Sequence, residues 1–252
     1  MGNYFLVEVK PTIPGSKQDD GDYADGNLLF DWFAFDIPRG GAKLVSAQMI
    51  IRGTNGATQG AADAHYELYF AKTINGDAPL TMGTPHAGAA GSQYYNHIIG
   101  GLRVNDSELL TITKLHMMAN NGLGDMGLPL VLQGEPNSGS ANGFDKIYVA
   151  AGIQDGDLNF STGIFTTESV EGTDGTISTI TVDDDSGGSC QASRRIAPGD
   201  ELITESDIVL GTLKSVTDTE LTLESPMTGG DLVDSLQILV RTPITLQLGF
   251  EA

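Results

Sequence analysis

The chain has 252 residues, 33 of them Gly, and 33 acidic against 13 basic side chains give a net charge of −20. Phosphate affinity comes from Lys and Arg, so such a chain is repelled by nucleic acid, which is not an expected partner. No window holds the roughly 18 apolar residues of a membrane helix, so a membrane is not expected either, and the single Cys190 excludes an internal disulfide or a multi-cysteine zinc site.

Hydrophobic residues make up 40% of the chain, enough for a packed core. High Gly with modest aromatic content points to many short strands joined by tight turns. The first residues, MGNYFLVEVK, carry neither the basic region of a secretory signal nor the Ser or Thr of a myristoylation motif. Tyr4 to Lys10 alternates, with Phe5, Val7 and Val9 on one face, which is the period of a half-buried strand. Leu28 to Ile37 is the most aromatic segment. Lys43 to Arg52 places Val45, Ala47, Met49 and Ile51 on one face, and Tyr66, Leu68 and Phe70 alternate. A single helical turn is expected near Ser92 to Ile98. Further strands are expected over 109–115, 128–133, 146–151 and 158–165. Turn clusters such as PRGG, INGD, GEPNSGSANG and QDGD separate them. Near the other end, Ile244, Leu246, Leu248 and Phe250 alternate again, and this strand is expected to share a sheet with the first. The pattern is all-β: an antiparallel β-sandwich or jelly-roll body.

After Phe165 the composition shifts. Residues 166–192 hold Thr, Ser, Gly and acids with no aromatic. Short strands follow at 177–182, 201–204, 208–216, 221–223 and 236–240. This predicts a small β-barrel of about five strands over 168–241, inserted into a sandwich body of 1–167 plus 242–252. Surface loops of a sandwich tolerate such insertions. Val209, Leu213 and Val216 are expected in the barrel core, closed by Leu221 and Leu223, with Gly199 and Gly211 at sharp turns.

Asp20, Asp22 and Asp25 in DDGDYADGN are the metal candidates, as hard oxygen ligands for Ca²⁺. Counted from Asp20 as an EF-hand loop, Ala24 stands where an acid is needed and Asp25 where Gly is needed. The segment therefore reads as a solvated acidic turn, and no metal is expected. Asp183, Asp184 and Asp185 read the same way. His65, His86, His97 and His116 show no zinc-ligand spacing. Cys190 has no neighbouring His to activate it, and no G-x-S-x-G elbow or phosphate loop occurs. No catalytic residue and no cofactor are expected. Arg194 and Arg195, the one basic pair, would meet an acidic patch on a partner or offset Asp183 to Asp185. Trp32, Tyr94 and Tyr95 are the side chains for stacking on sugar, although the surroundings of Trp32, LFDWFAF, favour burial.

PGDELI, VLGTLKSV and TELTLE within 198–224 resemble a short pattern of tailed-phage virion proteins. DGNLLFDWFAFDIPRGGAKLVSAQMIIRGTNG, ELYFAKTINGDAP and LNFSTGIF resemble structural proteins of marine, cyanophage-like tailed phages. The resemblance implies a virion structural protein, a capsid decoration or cement protein, made in the host cytoplasm. Its partners would be the major capsid protein or other virion proteins and its own copies, with a homotrimer preferred. The other readings are a tail, neck or baseplate protein, with a carbohydrate-binding adhesin among them, and a β-sandwich hydrolase.

Overall fold

The computed structural model describes residues 3–18, 26–37, 41–52, 65–74, 77–82, 95–105, 109–113, 116–121, 130–132, 146–154, 159–167, 175–227 and 229–252. Nine strands come first: β1 (Tyr4–Val9), β2 (Leu28–Asp36), β3 (Ala42–Arg52), β4 (His65–Lys72), β5 (Ile98–Val104), β6 (Leu109–Thr113), β7 (His116–Asn121), β8 (Leu130–Leu132) and β9 (Lys146–Gln154). Six more follow: β10 (Phe165–Thr166), β11 (Thr179–Asp183), β12 (Glu201–Thr204), β13 (Val209–Val216), β14 (Glu220–Leu223) and β15 (Ile238–Val240). The last is β16 (Ile244–Glu251). Every ladder between them is antiparallel. Helical geometry among the described residues is limited to single 3₁₀ turns, one of them at Tyr95–His97, within the segment expected to form a turn.

Two sheets make the sandwich. One has the order β1-β16-β3-β7-β6, with β8 also on β3, and the other β2-β9-β4-β5. As alternation predicts, β16 turns Ile244, Leu246, Leu248 and Phe250 inward, all fully buried, and pairs with β1 from Tyr4↔Glu251 to Val9↔Leu246. Phe30, Phe35, Tyr66, Phe70 and Ile147 of the second sheet meet them in one core. Burial of Tyr66 pushes its phenol far above the usual range.

The third sheet, β10-β11-β14-β13-β12-β15, curls until its ends meet. Phe165 forms an antiparallel bridge with Gln237, and Ile238 N–H donates to the Ile164 carbonyl at 2.8 Å. The result is a nearly closed six-stranded barrel with its own apolar cluster, including Ile180, Leu202, Leu210, Leu213, Leu221 and Ile238. The barrel sheet takes in Phe165 and Thr166 as well as strands from within 168–241.

Several expectations need correction, each for a local reason. Leu44, not Val45, faces the core, because the β16–β3 register shifts between Gly249 and Phe250 and leaves Val45 as the extra residue of a bulge. Val209 is exposed and Leu210 buried; in the β12–β13 ladder Leu210 is itself the extra residue, between Val209 opposite Ile203 and Gly211 opposite Leu202. Gly211, with φ of 112°, lies inside β13 beside that bulge and not at a turn. Residues 159–164 form no strand. They cross between the two bodies, with Phe160 in the sandwich core and Ile164 in the barrel core. β5 and β7 carry no expected strand. β5 places Gly100 and Gly101 opposite Phe70 and Tyr69, and these two glycines interrupt the strand's apolar period.

Candidate functional site

Among the described residues, a cluster of polar groups lies where barrel meets sandwich. After β1 the chain runs through Pro11 to Gln18 along the barrel. Ile13 N–H donates to the Arg241 carbonyl at 3.0 Å. The buried Gln18 amide donates to the carbonyls of Ile13 and Val240, at 2.8 and 3.0 Å. Asp207, held with φ of 64° in the turn between β12 and β13, accepts from Gly15 N–H at 2.5 Å and from the Ser16 hydroxyl at 2.8 Å. Only Gly fits at position 15, since a Cβ there would collide with the Thr204 main-chain carbonyl.

A second tie joins Arg52 of β3 to Asp200 before β12. Their side chains are 23% and 14% exposed, so this ion pair is partly withdrawn from water and is screened less than a surface pair. Arg195 donates to the carbonyls of Thr162 and Gly163, at 2.7 and 2.8 Å, and so fastens the crossing segment. Arg194 bonds Gln191 at 3.2 Å.

Two clefts follow this joint. One, of about 600 Å³, is lined by Ile13, Leu28, Phe30, Asp31, Asp207 and Arg241 among others. The other, of about 650 Å³, has Lys10, Arg52, Asp200, Glu201 and Thr245 in its wall. Their charged groups are largely committed to structure. Asp31 accepts from the main-chain N–H of Trp32 and Met82, at 2.8 and 3.1 Å. Asp207 holds Gly15 and Ser16, Arg241 bonds Glu201 at 2.6 Å, and Arg52 bonds Asp200.

Among the described residues, the sequence-predicted candidates stand apart. Asp20, Asp22, Asp25, Tyr94 and His86 lie outside the described residues, as do the side chains of Tyr95 and His116. Trp32 is half-buried, packed with Leu28, Tyr69, Met82 and Ala150, and its indole N–H donates to the Leu80 carbonyl at 3.0 Å. His97 is buried with Nδ1 2.9 Å from the Lys72 carbonyl oxygen, and His65 opens β4 on another strand. Asp184 turns back on its own loop. It accepts from the Ser186 hydroxyl at 2.8 Å and from the Gly188 and Ser186 N–H groups, which hold its carboxyl below the usual carboxylate range. Among the described residues no cluster of three His, Cys, Asp or Glu side chains is placed to hold a metal. Cys190 is buried, and desolvation pushes its thiol up. Sequence reading missed the joint residues, Arg52, Asp200 and Asp207, because their partners lie 143 to 192 residues away along the chain.

Fold and site together define an all-β protein whose sandwich carries a barrel on a polar joint. No protein-family model matches the chain, and no curated protein matches it. Among solved structures, the native virion of Kashmir bee virus at neutral pH contains a chain that is 11% identical, with 62% of this chain and 73% of that chain covered and a TM-score of 0.16. A likeness of that size carries no argument.

Proposed function

We propose that this protein is a non-enzymatic structural component of a tailed-phage virion, placed on the capsid surface as a decoration protein. It is made in the host cytoplasm, and its partners are the capsid protein and its own copies. The observation that carries the reading is the joint. Asp207 and the Arg52–Asp200 pair fix barrel to sandwich, while Asp31 and the Arg241–Glu201 pair are bonded within their own bodies. Groups spent on holding shape suit a coat component, whose work is association rather than chemistry. The sequence patterns at 198–224 and across the sandwich add to the same reading. Copies arrayed on a lattice make individually weak contacts effective through multivalency.

The test is a mixing assay. Purified protein is added to expanded heads that lack it, and the particles are imaged by electron microscopy. Regular density at lattice positions is the expected result. Bare heads, with protein bound instead to tails or to sugars on a glycan array, overturn the capsid placement.

A further inference from the structure

Strand β1 ends the first sheet, and among the described residues only β16 pairs with it. Asn3 N–H donates to the Ala252 carbonyl at 3.1 Å, and Ala252 N–H to the Asn3 carbonyl at 2.9 Å. These two bonds set the phase of the ladder. Opposed residues of an antiparallel pair alternate between bonded and non-bonded, so Asn3, Phe5, Val7 and Val9 direct their main-chain groups to β16. Tyr4, Leu6 and Glu8 direct theirs outward, to the open edge.

The same residues hold out their side chains: Tyr4 is 72% and Leu6 63% exposed, and the Glu8 side chain is 47% exposed. Proteins blunt such edges with bulges, prolines or inward-pointing charges. Tyr4–Val9 has none of these, and its ladder with β16 runs without a register shift. On the inner face, Phe5 and Val7 pack on the core yet stay only partly buried. Charge singles out this edge too. The chain as a whole carries −20, but here Glu8 is paired with Lys10 at 2.8 Å and Glu251 with Lys43 at 3.1 Å. It is a locally neutral border on an acidic molecule.

We propose that β1 pairs antiparallel with β1 of a second copy across a two-fold axis through Leu6. Among antiparallel registers, this one pairs all three outward residues of each strand. Tyr4 stands opposite Glu8 of the second copy, Leu6 opposite its counterpart, and Glu8 opposite Tyr4. A slip of two residues in either direction leaves an outward donor and acceptor without a partner on each strand, and a slip of one turns the bonded set away. Phe5 then lies beside Val7 of the second copy and covers the half-open end of the core. The contact is isologous and closes after two copies, in place of the trimer that the sequence resemblance implies. It rests on the geometry of β1 and not on the capsid reading, so a solution experiment tests it alone.

The whole chain is expected to sediment as a dimer at micromolar concentration. Bonded antiparallel pairs hold Cα atoms about 5.5 Å apart, within the span of about 4.4–6.8 Å that a disulfide bridges. Oxidised Leu6→Cys is therefore expected to run as a covalent dimer on a non-reducing gel, and the native Cys190 is buried. Two copies of Tyr4→Cys would lie about 15 Å apart, four residues at about 3.4 Å each along the strand and about 5.5 Å across, and should not cross-link. Leu6→Lys sets two ammonium groups face to face and should give a monomer with an unchanged circular dichroism spectrum. A wild-type chain that sediments as a monomer overturns the proposal, as does a dimer that Leu6→Lys leaves intact. Cross-linking of Tyr4→Cys as complete as that of Leu6→Cys overturns it as well. So does an edge that takes up only a strand of another virion protein.

Discussion

Phe250 stands between Phe5, stacked at 5.3 Å, and Phe35, at 6.1 Å, with none of its own surface exposed. Phe250→Ala deletes both ring contacts and leaves a cavity where the two sheets meet. The expected loss is about 3–5 kcal/mol, read as a lower denaturant midpoint at unchanged slope. Phe250→Asp buries a charge as well and should leave the sandwich unfolded. Cys190 lends itself to a chemical readout: buried, with its thiol pushed up by desolvation, it should resist a maleimide in the native protein and react fully in denaturant. Fast native labelling would show that its loop opens. Glu251 titrates in a way that gives a pH test. Its carboxyl is held below the ordinary 4.5, first by the Lys43 hydrogen bond and then by Tyr4. A depressed carboxyl adds stability above its ordinary value, and that stability is lost as pH falls through the folded value. The stability gap between wild type and Glu251→Gln should therefore be present near neutral pH, small because the pair is exposed, and vanish in acid. Urea titrations across pH check it.

At the scale of elements, alternation located most strands, though not β5 or β7, and none of their irregularities. Val45 and Val209 look like core residues by period, but Val45 is the extra residue of a bulge next to the buried Leu44, and Val209 stands beside a bulge whose extra residue, Leu210, is buried. A bulge is set by the partner strand, so one strand's own residues carry little sign of it. Gly249 is the exception: it lies at the β16–β3 bulge, where a Cβ would strike the Ser46 hydroxyl. The joint was illegible for a related reason, since Gly15, Asp207 and Arg52 are unremarkable until distant segments are brought together. Gly15→Ala tests the joint directly. Its Cβ would meet a main-chain carbonyl that has no flexible end to move aside, so the 3₁₀ turn at 15–17 must lift from the barrel. The expected result is a protein that keeps its β spectrum but melts at a lower temperature and is cut faster by protease near Pro14. Ser16→Ala, which removes only one exposed hydrogen bond, should change little.

For the molecule as a whole, the two apolar clusters share no residue, and the barrel sheet closes upon itself. Residues 161–241, expressed alone, are therefore expected to fold cooperatively, with a sigmoidal melt and dispersed amide resonances. A collapsed spectrum would mean that the barrel depends on the joint. Closure also leaves the barrel short of open edges, so strand-to-strand adhesion falls to the sandwich. Strand content, the meeting of the first and last strands, and the shift in composition before the barrel could be read from local pattern. The number of barrel strands could not, because β10 is two residues long and owes its place to Gln237 across the closure.

That closure has a practical side. The chain enters the barrel at Ile164 and leaves it at Val240, the end of β15, two residues beyond the Ile238 N–H that bonds the Ile164 carbonyl. The sandwich therefore offers a socket roughly 8 Å wide, one strand spacing across and two residues along. Any folded cargo whose own ends emerge side by side fits that socket without stretching the host. The chain would then serve as a display handle, with the barrel as its exchangeable head.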